Sequence, residues 1–115
     1  MRQVLLNLAQ NAIQAMPKGG TLTLRAGRAR VGDPRSRMVE GIEFTVGDTG
    51  AGIAPEDLDK LFVPFYTTRH DGTGLGLAIS QRIVQAHSGE IDVHSEVGVG
   101  TRFVVRLPFT PEGSG

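Results

Sequence analysis

The sequence predicts an α/β fold, a two-layer sandwich in which helices cover one face of a mixed, mostly antiparallel sheet. Three observations carry that expectation. Residues 2–16 and 75–87 place apolar side chains at helical spacing, whereas 21–30, 41–46, 90–95 and 101–107 read as short strands. The strand segments come in consecutive pairs joined by polar or glycine-rich connections, the pattern of antiparallel hairpins. Helices and hairpins interleave along the chain, so one face of the sheet has helices to cover it. With 115 residues there is length for one core and not for two.

The first helix is expected from Arg2 to Met16 and ends at Pro17-Lys18-Gly19-Gly20, where proline cannot extend the ladder and glycine favours a reversal. Thr21 to Arg30 alternates as TLTLRAGRAR, a polar stretch runs from Val31 to Met38, and Gly41 to Val46 returns, giving a hairpin with a loose, exposed tip. Pro55, preceded by Ala54, opens a short helix to about Phe62. Residues 64–74 show no periodicity. Leu75 to His87 resumes it, with Leu77, Ile79, Ile83, Val84 and Ala86 as the expected buried set and Ser88-Gly89 as the stop. A last hairpin, Glu90–Ser95 with Thr101–Leu107, turns through glycine, and the tail after Pro108 is expected to be disordered.

Twelve Lys and Arg balance twelve Asp and Glu, and the basic residues are scattered, so neither nucleic acid nor a membrane surface is an expected partner. The absence of cysteine excludes disulfides and thiolate metal sites and fits a reducing compartment, so the expected location is cytoplasmic. No apolar run reaches membrane-spanning length, and Asn7, Gln10 and Asn11 interrupt the opening stretch, unlike the apolar core of a signal peptide. Sixteen glycines beside only five Phe, one Tyr and no Trp imply many obligatory turns around an aliphatic core.

The chemistry is concentrated in four clusters. Asn7, Asn11 and Gln14 share an arc of about 60° on the first helix, a polar stripe on an otherwise apolar element. Such a stripe is either a solvated edge or a set of ligands, and an amide oxygen suits a hard cation such as Mg²⁺ that keeps waters and phosphates as its other ligands. Asp48 closes an apolar strand and opens Thr49-Gly50-Ala51-Gly52-Ile53. Alone it reads as an ordinary Asp-turn, but a carboxylate in an apolar pocket also accepts a hydrogen bond from an exocyclic amine and so selects adenine. Gly72-Thr73-Gly74-Leu75-Gly76-Leu77 sets bare backbone just before a helix, where free N–H groups and the positive helix end favour phosphate. It is neither a Walker A loop nor a dinucleotide fingerprint. Upstream, Thr67, Thr68 and Arg69 offer hydroxyls and a cation in the aperiodic stretch, as a lid over a triphosphate or as ordinary loop residues. Phe62 and Phe65 beside Leu61 and Tyr66 read first as core packing. The fourth cluster is Gly98-Val99-Gly100-Thr101. His70, His87 and His94 have no mutual metal-ligand spacing, and His87 reads as a helix-terminal cap. Together the clusters predict an ATP-binding pocket.

In this order the clusters resemble the catalytic ATP-binding domain of sensor histidine kinases, within the group that includes gyrase, Hsp90 and MutL, and most closely the short-lid, nitrogen-regulatory type. NLAQNAIQAM resembles the N box, DTGAGI the first glycine box, LFVPFYTTR the F box, GTGLGL the second glycine box and GVGTRF the last. The resemblance implies a Bergerat-type fold over residues 1–108, N-terminally truncated, with 109–115 as the tail. It implies ATP and Mg²⁺ as ligands. Asn11 matches the metal ligand, Asp48 the adenine-binding carboxylate, Thr101 its water-bridged helper and Arg69 the basic group near the γ-phosphate. Asn7, Gln14, Gly50, Gly52, Ile53, Phe65, Thr67, Thr68, Gly72, Thr73, Gly74, Leu75, Gly76 and Leu77 complete the implied pocket. Asn7 and Arg69 are its implied catalytic residues.

Two departures refine the expected chemistry. In hydrolytic relatives a Glu four residues before the metal-binding Asn activates water, whereas Asn7 holds that position here and is no base at neutral pH. Slow hydrolysis suits a kinase, in which the γ-phosphoryl waits for a protein nucleophile. Gln14 stands where relatives often carry Lys or Arg. The phosphoacceptor histidine motif of the family has no counterpart in this sequence, so the resemblance implies a partner dimerisation domain of the same kinase, then a response regulator. The chain would be a piece of a longer, in some cases membrane-bound, sensor, without direct membrane contact of its own. A nucleotide-sensing module without transfer activity, an ATPase of the gyrase or Hsp90 type and an anti-sigma-type serine kinase are the alternatives.

Overall fold

A computed structural model describes residues 2–32, 35, 37–63 and 76–109. Phe65, Thr67, Thr68, Arg69, Gly72, Thr73, Gly74 and Leu75 lie outside the described residues, as does the tail from Thr110.

Helix α1 (Arg2–Gln14) forms around Val4, Leu8 and Ala12, one apolar residue per turn on a single stripe, and these three are its buried residues. Leu5 and Ile13, apolar but off that stripe, stay exposed. Pro17 and left-handed Gly19 follow the last turn. Strands β1 (Leu22–Gly32) and β2 (Met38–Asp48) pair antiparallel over their whole length, from Leu22 opposite Asp48 to Gly32 opposite Met38. The expected loose tip is thus shortened: ladder pairing extends into the polar stretch, where the Arg30 guanidinium also donates to the Met38 carbonyl at 3.1 Å.

Helix α2 is one turn, Pro55–Leu58, with proline at its start and no side-chain cap from Ala54. Turns, not helix, continue to Phe62. Helix α3 (Gly76–Ala86) is followed by β3 (Glu90–Glu96) and β4 (Gly100–Pro108). The strand order is β1-β2-β4-β3, and every pairing among the described residues is antiparallel.

Alternation on the strands decides which face is covered. Phe44 and Val46 on β2 lie beside Val105 and Phe103 on β4, and all four are buried with Val4, Leu8, Ala12, Leu61 and Val84 in one cluster. Ile91, Val93, Ile53, Leu58, Phe62, Leu77, Ile83 and Leu107 pack around it. The intervening positions, Glu43, Thr45, Arg102, Arg106, Asp92 and His94, belong to the opposite face, which no described helix covers. There Arg106 donates from Nε to Glu43 at 2.9 Å and from Nη1 to Asp92 at 2.6 Å. The Asp92 hydrogen bond is the main reason its pKa lies above the ordinary arginine value, with desolvation opposing and Glu43 adding to the rise.

One expectation for α3 needs correction. Its buried residues are Ala78, Ser80 and Val84, with Leu77 and Ile83 half-buried, while Ile79 and Ala86 face solvent. Ser80 is on the inside because α3 packs against α1, where its hydroxyl accepts from Asn7 Nδ2 and donates to Gly76 O. The helix stops at Ser88-Gly89, as expected. Ser88, not Gly89, takes the left-handed conformation (φ 62°), with Ser88 N–H donating to Gln85 O at 2.9 Å and Gly89 N–H to Val84 O at 2.9 Å. Gly89 is required for another reason: a Cβ there would meet Leu107 Cδ2 at 2.6 Å. His87 Nδ1 lies 2.8 Å from Ile83 O, the expected terminal cap.

Candidate functional site

The site begins where β2 ends. Asp48 lies half-buried directly across from Thr101 of β4. Its Oδ1 accepts the Gly50 N–H at 2.8 Å, so the Asp-turn is present and also fixes the carboxylate. No described residue donates to Oδ2, which leaves one carboxylate oxygen available to an incoming N–H. Thr101 is 6% exposed. Its Oγ1 lies 2.8 Å from Ser95 Oγ, and Ser95 Oγ also accepts the Ile53 N–H at 2.7 Å and donates to Gly100 O at 3.0 Å. Ser95 therefore joins the first glycine cluster to the last.

The glycines of these clusters are sites of close approach. A Cβ on Gly50 would lie 2.9 Å from the Ala15 carbonyl carbon at the end of α1. On Gly52, which is left-handed (φ 80°), it would lie 2.7 Å from the Glu96 carbonyl carbon and 2.8 Å from Val97 Cα. On Gly100 it would lie 3.0 Å from the Asp48 carbonyl carbon. The Gly98 N–H completes the junction by donating to Ala51 O at 2.8 Å. Backbone from α1, from the 48–53 turn and from the β3–β4 turn is thus stacked without side chains between the layers. That is why short glycine runs recur at both places in the sequence.

Asn7, the first residue of the amide stripe on α1, faces the start of α3. Asn7 Nδ2 donates to Gly76 O at 3.2 Å and to Ser80 Oγ at 3.1 Å, and its Oδ1 accepts from Gln3 at 2.9 Å. Ser80, fully buried, donates in turn to Gly76 O at 2.9 Å. Asn7 therefore ties the two helices together, an occupation that the helical wheel alone does not reveal. Asn11, one turn on, is half-buried, and Gln14 is exposed. Of the second glycine cluster, Gly76 opens α3 and half-buried Leu77 packs on the core.

The described members of the predicted set thus fall in two groups. Asp48, Gly50, Gly52, Ile53 and Thr101 meet at the C-terminal end of β2; Asn7 and Gly76 meet at the start of α3, with Asn11 and Gln14 farther along the same stripe of α1. Sequence reasoning missed Ser95 and Ser80. Ser95 had a signal: it continues the inward alternation of Ile91 and Val93, so a hydroxyl at that position faces the buried layer opposite Thr101. Ser80 had none, because its burial depends on which face α3 turns to α1. Among the described residues no three His, Asp or Glu side chains cluster as metal ligands. No helix among them is long and apolar enough to cross a membrane.

Comparison with known proteins agrees with this geometry. Residues 1–111 match the family described as histidine kinase-, DNA gyrase B-, and HSP90-like ATPase. The chain is 43% identical over 108 residues to the sensor histidine kinase ZraS of Escherichia coli K12, covering 94% of this chain and 21% of that protein. It is 40% identical over 108 residues to sporulation kinase D of Bacillus subtilis 168, covering 94% and 20%. The chain therefore spans about a fifth of the length of these relatives. Among solved structures, the nucleotide-free catalytic domain of histidine kinase ThkA superposes with a TM-score of 0.76 at 34% identity, covering 96% of this chain and 67% of that one. Full-length ShkA in complex with AMPPNP gives 0.77 at 38% identity, covering 93% and 21%. By sequence, fold and arrangement of its glycine clusters, the chain belongs to the histidine kinase-, DNA gyrase B- and HSP90-like ATPase family.

Proposed function

We propose that this chain is the ATP-binding catalytic domain of a two-component sensor histidine kinase, which binds Mg-ATP and donates the γ-phosphoryl to a histidine on a separate dimerisation domain. The observation that carries the reading is Asp48: half-buried, one oxygen pinned by Gly50 N–H, the other without a donor from any described residue, and Thr101 directly across the strand pair. That arrangement accepts an exocyclic amine and rejects a carbonyl. The relatives named above are sensor and sporulation kinases, and one solved neighbour holds an ATP analogue.

The donor set fits a substrate-borne Mg²⁺. Asn11 offers a neutral oxygen ligand on a half-buried helix face, and no cluster of acidic ligands stands among the described residues. A hard cation held there would take its other ligands from water and phosphate, and its role is to neutralise phosphate charge. Asn7, Gln14, Gly76 and Leu77 line the phosphate end in this reading, joined by Phe65, Thr67, Thr68, Arg69, Gly72, Thr73, Gly74 and Leu75, with Arg69 as the cation near the γ-phosphate. In the transfer, an imidazole nitrogen of the acceptor attacks the γ-phosphorus, the bond to the bridging oxygen breaks, and ADP leaves. Asn7 at the position of a hydrolytic base keeps water from competing. A response regulator would then take the phosphoryl group, and the domain would work in the cytoplasm.

Incubation of the chain with γ-labelled ATP, alone and with the dimerisation domain of its own kinase, tests the reading. The expected result is no label on the lone chain and label on the acceptor histidine of the partner. Steady release of inorganic phosphate by the isolated chain would point instead to a gyrase- or Hsp90-type ATPase.

A further inference from the structure

The three contacts around Ser95 determine where one hydroxyl proton goes. Ser95 Oγ has one hydrogen to give and two lone pairs to accept with. The Ile53 N–H, at 2.7 Å, is a donor only and takes one lone pair. Gly100 O, at 3.0 Å, is an acceptor only and takes the hydrogen. What remains on Ser95 is one lone pair, so the 2.8 Å contact with Thr101 is made by the Thr101 hydroxyl donating to Ser95. Thr101, 6% exposed, then has no proton left for anything else.

We infer that Ser95 is a specificity-determining positioning residue: by taking the Thr101 proton it leaves Thr101 a pure hydrogen-bond acceptor beside Asp48. The inference rests on the adenine-nucleotide reading of the site. Two acceptors side by side welcome an amine, directly or through a water that donates to them, and repel a carbonyl. A purine with a 6-oxo group, such as hypoxanthine or guanine, meets lone pairs at both positions. Without Ser95 the Thr101 hydroxyl is free to rotate and donate, and the site no longer opposes a carbonyl at that point. Ser95 needs no contact with the base to do this. It lies on β3, behind Thr101, and its other two bonds anchor the turn that carries Asp48 to the turn that carries Thr101.

The test compares ATP with inosine triphosphate, which carries a carbonyl and a ring N–H where adenine carries an amine and a bare nitrogen. Dissociation constants for both are measured by calorimetry on the chain, on Ser95→Ala and on Thr101→Val, with a melting curve for each. Wild type is expected to prefer ATP, and Ser95→Ala is expected to shrink the preference by about tenfold, chiefly through tighter binding of inosine triphosphate. Parallel weakening of both nucleotides in Ser95→Ala, with the ratio unchanged, would show a purely structural role and overturn the inference. Should Ser95→Ala not fold, Thr101→Val decides alone: loss of ATP affinity with inosine triphosphate unaffected supports a pure acceptor, whereas loss of both in proportion overturns it. A folded wild type that takes up neither nucleotide would instead overturn the reading of the site itself, and this inference with it.

Discussion

Gly52→Ala probes the junction that holds the base end of the site. Two costs add at this position. The backbone is left-handed (φ 80°), which disfavours alanine by about 1 kcal/mol. The new methyl would also lie 2.7 Å from the Glu96 carbonyl carbon and 2.8 Å from Val97 Cα, both backbone atoms that cannot turn aside as a side chain tip does. Overpacking of this kind costs about 1–3 kcal/mol, so the sum is about 2–4 kcal/mol. In a domain of this size each kcal/mol lowers the melting temperature by about 4 °C, giving a drop of roughly 8–16 °C. Two controls separate the terms. Gly98→Ala has the left-handed backbone (φ 82°) with no atom near the new methyl, and should cost only about 1 kcal/mol. Gly27→Ala has neither problem and should melt with wild type. Thermal unfolding followed by circular dichroism gives all three values. A Gly52→Ala midpoint level with that of Gly98→Ala would refute the close approach between the two turns.

Asp48→Asn should keep the fold, because an amide oxygen still accepts the Gly50 N–H, but should weaken ATP binding at least about tenfold in calorimetry through loss of the charged acceptor. Asn7→Asp should destabilise more than Asn7→Ala in urea titrations, by about 1–3 against about 1 kcal/mol, since a carboxylate cannot donate to Gly76 O and instead repels it. Arg106→Gln should cost about 1 kcal/mol, given that its carboxylate partners are well exposed. The Arg106 pKa is raised in the folded state, so its stabilisation is complete below the ordinary arginine value and fades only as pH climbs through the higher folded one. The difference between this variant and wild type should therefore be flat from about pH 6 to pH 9 in urea titrations.

Most of the architecture was legible because the spacing rules are local. Helical spacing over 2–16 and 75–87 and the paired strand segments announce the elements before any partner is known, but not every buried face, since Leu22 and Leu24 on the alternating 21–30 segment are exposed. The first glycine cluster was legible for a different reason: Asp48 followed by Gly50 and Gly52 is a turn whose geometry only those residues allow. What depended on a partner element was not legible. Ile79, expected inside, faces solvent, and Ser80, given no role by the sequence, is buried because α3 meets α1 there through the Asn7–Ser80 hydrogen bond. Asn7 read as a candidate ligand, and its bond to α3 across 69 residues of sequence has no local signature. The same holds for Ser95, whose partners come from two separate segments, the 48–53 turn and the start of β4.

The stacking of bare backbone at Gly50, Gly52 and Gly100 has a thermodynamic consequence. A pocket wall assembled from mutually wedged main chain has no hinge, so the entropy of fixing the Asp48 corner is lost once, when the polypeptide acquires its tertiary structure, and not again at each nucleotide encounter. Recognition of the purine ring should then behave as docking onto a preset template, fast to engage and sensitive to single-atom changes in the ring.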